Sequence, residues 1–331
     1  MVPGVLCVGE VLIDFLGEGG ATLVDAVTFR PAPGGASANA AVAAARAGAV
    51  TAFAGRVGRD AFGDRLRQTL EAAGVDCSPL VADPSAATTL AFVVPAGQGA
   101  HGFQFCRGAD ARLQVEDLPA ALFAGCRAVA GGGVSLSAPL SRQATLHALR
   151  AARAASALAV FDVNWRPALW PDAAEACAAF REAIALADVV KCNDAELDLL
   201  CGSEGGVAER AAALLGRGTA GPFAVVVTLG HEGAVWVDRG GAVVHPGYRV
   251  DAVDAIGAGD CFTGTLLAWW VARGRALPSS AVEVAPPAAE EVPGLLARCN
   301  AGAALSTLRP GAMGAMPSRA EVDAFLREQP C

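Results

Sequence analysis

The chain has 331 residues, 53% of them hydrophobic and 18% charged, a formal net charge of −8, and a single lysine, Lys191. Apolar and charged fractions near globular averages, punctuated by 39 glycines, exclude a disordered, collagen-like or fibrous chain, and the acidic balance argues against nucleic acid as a partner. Lys191 precedes Cys192 rather than the Ser or Thr of a P-loop, and its strand-end context fits neither a protein kinase nor a Schiff-base enzyme.

The first residues lack the basic region, apolar core and cleavage site of a signal peptide, and no apolar run reaches the roughly 18 residues of a membrane helix. A soluble cytoplasmic protein with no membrane partner is therefore expected. Val5–Val8 and Val11–Phe15 read as one central strand whose end carries Asp14. From Thr22 to Pro33, and again at Cys77–Leu80, Thr89–Val94 and Phe103–Cys106, short alternating strands broken by Gly and Pro predict a small projecting sheet. An alanine-rich helix follows at 40–48. Then strand and helix alternate: Val50–Ala54 with Ala61–Ala73, Ala128–Gly131 with Leu140–Ala155, Leu158–Val163 with Ala173–Ala187, and Val189–Lys191 with Ala195–Cys201. Continuous apolar strands separated by helices mean a parallel sheet covered on both faces. Phe223–Leu229 is the clearest buried strand, a hairpin follows at Ala234–Val237 and Ala242–His245, and helices close the chain at about 258–273, 294–308 and 318–327. Leu277–Pro293, rich in Pro, Ala, Ser and Glu, reads as a surface insertion. The expected architecture is α/β: a three-layer α/β/α sandwich with a mainly parallel central sheet, one domain over residues 1–331, with a β-lid built from about 20–33 and 77–107. The ten cysteines include no C-x-x-C pair and several lie in apolar runs, which suits buried thiols in a reducing compartment.

Four constellations carry chemistry. The strongest is Asp254-Ala255-Ile256-Gly257-Ala258-Gly259-Asp260-Cys261-Phe262-Thr263-Gly264 at the start of an apolar helix. Small residues at 257–259 leave backbone amides free at a helix N-terminus, which makes an anion hole, and Asp260 puts a carboxylate beside it. A base next to an electrophile cradle is what transfer to an alcohol requires. The same residues would also serve as a glycine turn with Asp as helix cap. A dinucleotide fingerprint is excluded, because Phe262 stands where its last glycine is needed. The second is Gly34-Gly35-Ala36-Ser37-Ala38-Asn39, whose glycines admit a close ligand and whose Asn39 offers donor and acceptor to hydroxyls, unless they only turn and cap. In the third, Asn193 and Glu196 sit three apart, placed to orient a hydrated Mg²⁺ or to form a capping box, the latter being the plainer reading. The fourth is Thr228-Leu229-Gly230-His231-Glu232-Gly233, a strand entering a turn, suited to lie beside a nucleotide.

In this order and combination the four resemble the PfkB family of sugar and nucleoside kinases, also called the ribokinase family, from about Val5 to Leu326. Gly34-Gly35 with Asn39 and the downstream Gly48, Gly58 and Gly63 look like the family's first signature, and Asp254 to Gly264 like its second. The resemblance implies a ribokinase-like fold that binds ATP without a P-loop. It makes Asp260 the base that takes a proton from a sugar hydroxyl and gives the Gly257, Ala258 and Gly259 amides to the transferring phosphate. Asn193 and Glu196 would hold Mg²⁺ through water, while Thr228, Gly230, Gly233 and Asn300 would line the ATP pocket. Asp14, Gly34, Gly35 and Asn39 would bind sugar. A monovalent cation, K⁺ in the family, would map to Asp254, the Ile256 carbonyl and the Pro310-Gly311 turn, with Ala255 standing where Thr or Ser is usual. The helix N-terminus is expected to keep Asp260 ionised with an ordinary low pKa. The family also admits a homodimer formed through the lid.

Within the family, Gly9 to Phe15, Phe105-Cys106-Arg107-Gly108-Ala109-Asp110 and Phe161-Asp162-Val163-Asn164-Trp165-Arg166-Pro167 look most like fructokinases, so that Phe105, Arg107 and Arg166 would meet the substrate. The rival is 2-keto-3-deoxygluconate kinase, whose acidic substrate also suits two arginines. Ser37 stands where those kinases tend to carry Glu and fructokinases Pro. Ribokinase or nucleoside kinase is a weaker fit. A catalytically silent kinase-like regulator would have lost Asp260, the glycine step or the Asn193/Glu196 pair, and all are present. Lys191, two residues before Asn193, either reaches the nucleotide or closes a strand, the structural role being preferred.

Overall fold

Alternation along one short strand sets the layering. In the computed structural model, which describes residues 3–94, 102–216, 220–275 and 284–328, Val5 and Cys7 of β1 (Val5–Val8) enter one hydrophobic core. Leu6 and Val8 enter a second core on the opposite face, because successive side chains of a strand point to opposite sides. The chain continues through β2 (Leu12–Glu18), β3 (Thr28–Gly34), α1 (Ala36–Arg46), β4 (Thr51–Gly58), α2 (Ala61–Ala72), β5 (Val75–Asp76), β6 (Leu80–Asp83), β7 (Leu90–Val94) and β8 (Gly102–Cys106). Its second half comprises β9 (Ala128–Gly132), α3 (Pro139–Ala154), β10 (Leu158–Asp162), α4 (Ala173–Leu186), β11 (Val189–Asn193), α5 (Asp194–Cys201), α6 (Val207–Ala212) and β12 (Ala224–Thr228). Last come β13 (Ala234–Asp238), β14 (Gly241–His245), α7 (Ala258–Arg275), α8 (Val292–Ser306) and α9 (Arg319–Glu328).

The large sheet runs β14-β13-β12-β11-β10-β9-β1-β4-β5, with β6 beside β4, and every pair is parallel except β12–β13 and β13–β14. Helices α1, α2, α7 and α8 pack on one face and α3 to α6 on the other, giving three layers. Strand order reverses at β1, whose neighbours are β4 on one side and β9 on the other. In open parallel sheets the crevice beyond the carboxyl ends at such a reversal is where ligands bind.

A second, four-stranded sheet has the order β3-β2-β7-β8 and stands over that crevice. Its make-up corrects two expectations. Leu12–Glu18 is not a continuation of the central strand but belongs to the small sheet, pairing with β3 and β7. The apolar run from Val5 to Phe15 conceals the change of sheet, since Val11 and Ile13 face the main core while Leu12 and Leu16 face the lid's own small core. Conversely, Cys77 and Leu80 lie in the main core, and β6 pairs in parallel with β4 rather than with the lid. The stretch between β2 and β3, expected to start the lid, is a turn-rich connection. Of the expected insertion at 277–293, residues 277–283 lie outside the described residues and 284–291 lead without regular structure into α8. Among the described residues no helix is long and apolar enough to cross a membrane.

Helices α1 and α7 lie against each other more closely than side chains normally allow. A Cβ on Gly264 of α7 would fall on the Ala40 carbonyl oxygen and 2.5 Å from the Ala43 Cβ of α1. Neither backbone can give, so a methyl group there acts as overpacking. Gly264→Ala is expected to lower unfolding free energy by about 1–3 kcal/mol in a urea titration. An unchanged midpoint would show that the two helices are not held at this distance.

Candidate active site

Four strands of the large sheet, β1, β10, β11 and β12, deliver polar residues to the crevice. Glu10 follows β1, Asp162 ends β10, Asn164 follows it, Asn193 ends β11 and Thr228 ends β12. The start of α7 enters from the opposite layer, carrying Gly257, Gly259 and Asp260. Two cavities meet there, one of about 280 Å³ beneath the lid and one of about 670 Å³ on the β12–α8 side, and both are lined by Ala255 and Gly259.

Asp260 lines the first cavity with only 8% of its surface exposed. Its Oδ2 accepts from Asn39 Nδ2 at 2.8 Å, and its Oδ1 accepts from Asn164 Nδ2 at 3.3 Å. Asn39 comes from the second turn of α1, so the α1–α7 contact aims this bond. Asn164 reaches Asp260 from a left-handed backbone conformation, φ 36°. The Oδ1 atoms of both asparagines are buried without a hydrogen-bond partner, a cost of about 1–3 kcal/mol each. They are acceptors held ready for hydroxyl donors.

Burial pushes the Asp260 carboxyl up to about 6; the Asn39 bond opposes this, Asp162 adds to it, and Lys191 and Arg166 oppose it. The expectation of an ordinary low pKa from the helix N-terminus is thereby corrected, because packing of α1 and β10 over the carboxylate removes it from water. Asp14, on the lid strand β2, is pushed up to about 7 by burial, opposed by Arg166 and reinforced by Asp260 and Glu10. A Cβ on Gly34 would overlap Asp14 Oδ2, so Gly34 acts by making room for Asp14 rather than by lining the cavity. Gly35 lines it and starts α1 at φ 104° with no side-chain cap.

The remaining expected residues divide three ways. Phe105, Arg166, Asn193, Glu196, Ile256 and Gly257 line the first cavity. Arg166 lies over the lid's Phe103, 5.7 Å from the ring centroid, and Phe103 stacks on Phe105 at 5.9 Å, so this arginine bridges body and lid. Thr228, Gly230, Gly233, Ala258 and Asn300 line the second cavity, where Asn300 Nδ2 is 2.9 Å from His245 Nδ1. Arg107 and Asp254 line neither. The Arg107 guanidinium is paired with Asp110 at 2.8 Å and donates to Ser137 Oγ at 2.7 Å, anchoring the end of β8 to the body. Asp254 accepts from the Ile256 and Gly311 amides, both at 2.9 Å, and so clamps the loop before α7 to the loop after α8.

Asn193 and Glu196 do form a reciprocal capping box: Glu196 N donates to Asn193 Oδ1 at 2.8 Å and Asn193 N to Glu196 Oε2 at 2.9 Å. Glu196 Oε1 also accepts from Trp165 N at 2.8 Å. Burial raises the Glu196 pKa, opposed by Lys191. Among the described residues no three His, Cys, Asp or Glu side chains are grouped to hold a metal ion. Each Glu196 carboxylate oxygen already accepts one backbone hydrogen bond and keeps a lone pair, which suits contact with a metal ion through water.

Lys191, Asn164 and Glu10 also line the first cavity; neither Asn164 nor Glu10 is expected there from sequence, and for Lys191 the sequence prefers the structural role. Glu10 is held by Ser37 Oγ at 2.9 Å and Ser135 Oγ at 3.0 Å. Lys191 Nζ donates to Asp162 Oδ1 at 3.1 Å. Burial alone would lower the lysine's pKa, but Asp162, Glu196 and Asp260 outweigh it and keep the ammonium charged. The signal for Asn164 is its place two residues before Arg166, in the stretch that already points to the substrate; nothing local marks Glu10.

A protein-family description, "pfkB family carbohydrate kinase", matches residues 3–319. Fructokinase-1 of Zea mays is 36% identical over 321 residues, 96% of each chain. The crystal structure of a fructokinase with bound ATP from Xylella fastidiosa aligns with a TM-score of 0.87 at 33% identity over 98% of each chain. A fructokinase double mutant from Vibrio cholerae O395, in a fructose, ADP and potassium ion bound form, aligns with a TM-score of 0.81 at 29% identity, again over 98% of each chain. With the family description covering almost the whole sequence and the fold matching that of sugar kinases, the chain belongs to the pfkB family of carbohydrate kinases.

Proposed function

We propose that the protein is an ATP-dependent fructokinase, with Asp260 as the base. The observation that carries the reading is the junction of the two cavities at Ala255 and Gly259, with Asp260 on the sugar side. The first cavity takes the sugar: Asp14, Asn39 and Asn164 supply acceptors for its hydroxyls, and the reacting hydroxyl lies against Asp260. The second takes ATP between Thr228, Gly230, Gly233 and Asn300. The α7 N-terminus faces the phosphoryl group with the amides of Gly257 and Gly259, and that of Ala258 joins them by giving up its long 3.3 Å turn bond to the Ala255 carbonyl.

Phosphoryl transfer passes through a loose transition state, so aim and charge neutralisation matter more than base strength. Two asparagines set the aim of Asp260, and its raised pKa matches a base that must release its proton again near neutrality. Asn193 and Glu196 are the residues that would hold a hydrated Mg²⁺, which supplies neutralisation of phosphate charge. A monovalent cation beside Asp254 would rest largely on backbone carbonyls such as that of Ile256, since Ala255 brings no side-chain oxygen.

Fructose is preferred over 2-keto-3-deoxygluconate by the cavity's charge. Its wall holds the carboxylates of Glu10, Asp14, Glu196 and Asp260 against the cations Lys191 and Arg166, and Lys191 is already paired with Asp162. A sugar acid would add a fifth carboxylate to this wall, whereas a neutral ketohexose adds none. The fructokinase names of the relatives support the same reading.

A coupled assay with Mg-ATP and fructose, 2-keto-3-deoxygluconate, ribose or adenosine should show turnover chiefly with fructose; turnover chiefly with the sugar acid would overturn the substrate assignment. Asp260→Asn should lose about 10²–10⁴ in kcat, the usual worth of a positioned base, and full activity in that variant would remove Asp260 from the mechanism. The same variant should be more stable than the parent at pH 8. A carboxyl raised from 3.8 to about 6 binds its proton more tightly when folded, so its ionisation costs the folded state nothing below pH about 4, increasingly more between about 4 and 6, and a constant amount above that. The gain has a ceiling of about 3 kcal/mol, readable as a higher melting temperature. In the parent enzyme kcat/KM should fall on the acid side with a limb near pH 6, where Asp260 becomes protonated; a flat profile down to pH 4.5 would contradict the raised pKa.

A further inference from the structure

We propose that Lys191 is a cation of the phosphoryl-transfer site: held by Asp162, it reaches the first cavity through the gap left by the missing side chain of Gly259 and meets the phosphoryl group as it passes to the sugar. The inference rests on the reading of the two cavities given above, but not on the identity of the sugar or of the base.

Position carries the argument. A Cβ on Gly259 would lie 2.9 Å from Lys191 Nζ, so the ammonium lies against the step in the chain that lines both cavities. The backbone of Gly259 is not in the left-handed region, and glycine is needed there for space rather than for conformation. The lysine's aim is enforced from behind. Thr263 Oγ1, one turn along α7 from Gly259, donates to Asp162 Oδ2 at 2.7 Å, which leaves Oδ1 for Lys191 Nζ at 3.1 Å. Asp162 thus takes one of the three ammonium donors, and the others remain for an oxygen-rich ligand.

Charge supports the same assignment. A polyphosphate entering at Gly259 approaches four carboxylates in the adjoining cavity wall. Of the two cations there, Arg166 stands at the lid end over Phe103, and Lys191 stands at the phosphate end. A buried ion pair serving only as a strut is expensive and is replaceable by apolar packing. A cation that also faces incoming phosphate has a reason to be there, and it explains why the chain's one lysine is placed at this strand end.

The single lysine also makes the test direct. Protein labelled with [13Cε]lysine shows one lysine ε-methylene resonance, which needs no assignment. AMP-PNP with Mg²⁺ is expected to move it well beyond the shift caused by Mg-ADP or by fructose alone, because only the triphosphate analogue brings a γ-phosphoryl group to Gly259. Equal shifts with ADP and AMP-PNP would overturn the proposal, whether or not any variant folds. In kinetics, Lys191→Met is expected to lower kcat about 100-fold or more, with the KM for sugar changed less than about threefold, the scale set by losing one charge-stabilising donor. Gly259→Ala, which crowds the ammonium, should lower kcat and add nothing further in the Lys191→Met background. A folded Lys191→Met enzyme with kcat within about threefold of the parent would overturn the proposal. Full activity in Asp260→Asn would remove the base and leave the lysine's role standing, so the two failures are distinguishable.

Discussion

The site depends on how closely α1 can lie against α7. These helices come from distant parts of the chain, yet Asn39 near the start of one must donate to Asp260 near the start of the other at 2.8 Å. Gly264 removes the side chain that would hold them apart, and Ala40, Ala43 and Ala44 present backbone and methyl groups where larger residues would stand. Small residues in α1 therefore set a distance on which the aim of a carboxylate rests. The alanine-rich composition that made this helix easy to predict has its physical purpose in that contact.

Burial and charge then balance each other around the crevice. Closing α1, β10 and the lid over Asp14 and Asp260 raises both carboxyl groups, and the cations Arg166 and Lys191 pull against that rise. Neither cation sits freely: Arg166 rests on a lid phenylalanine and Lys191 on Asp162. The lid is thus tied electrostatically to the body through Arg166 and mechanically through Arg107, whose pairing with Asp110 and Ser137 lies at the base of β8. Asn39 and Asn164 each keep one buried oxygen without a donor, a local instability of the kind that binding sites hold for the ligand to relieve.

What was legible in the sequence was what is local. The glycine step before Asp260 announces a helix start and an acid beside it within a few residues, and the Asn193/Glu196 pair reads as a capping box from spacing alone. The alternation of buried strands and helices likewise gives the layers, because each strand's apolar run is continuous. Legibility fails where a second segment decides the outcome. Val11–Phe15 is apolar for two different sheets and so reads as one strand. The ionisation of Asp260 follows from what covers it, which its own turn of helix does not reveal. Lys191 looks like a strand terminus until Gly259, nearly seventy positions away, is found against its ammonium. Arg107 reads as a ligand by its motif, and only the fold shows that Asp110 and Ser137 have claimed it.

Proton transfer turns on the geometry of Asp260 toward the accepting hydroxyl, and a crystal structure with Mg-ADP, a phosphoryl mimic such as aluminium fluoride, and fructose measures that geometry directly. One sugar hydroxyl oxygen is expected within about 2.6–3.2 Å of an Asp260 carboxylate oxygen, with Asn39 and Asn164 still bonded to Asp260 and the mimic against the start of α7. A sugar whose nearest hydroxyl lies beyond hydrogen-bond reach of Asp260, with another side chain in its place, would contradict Asp260 as the base.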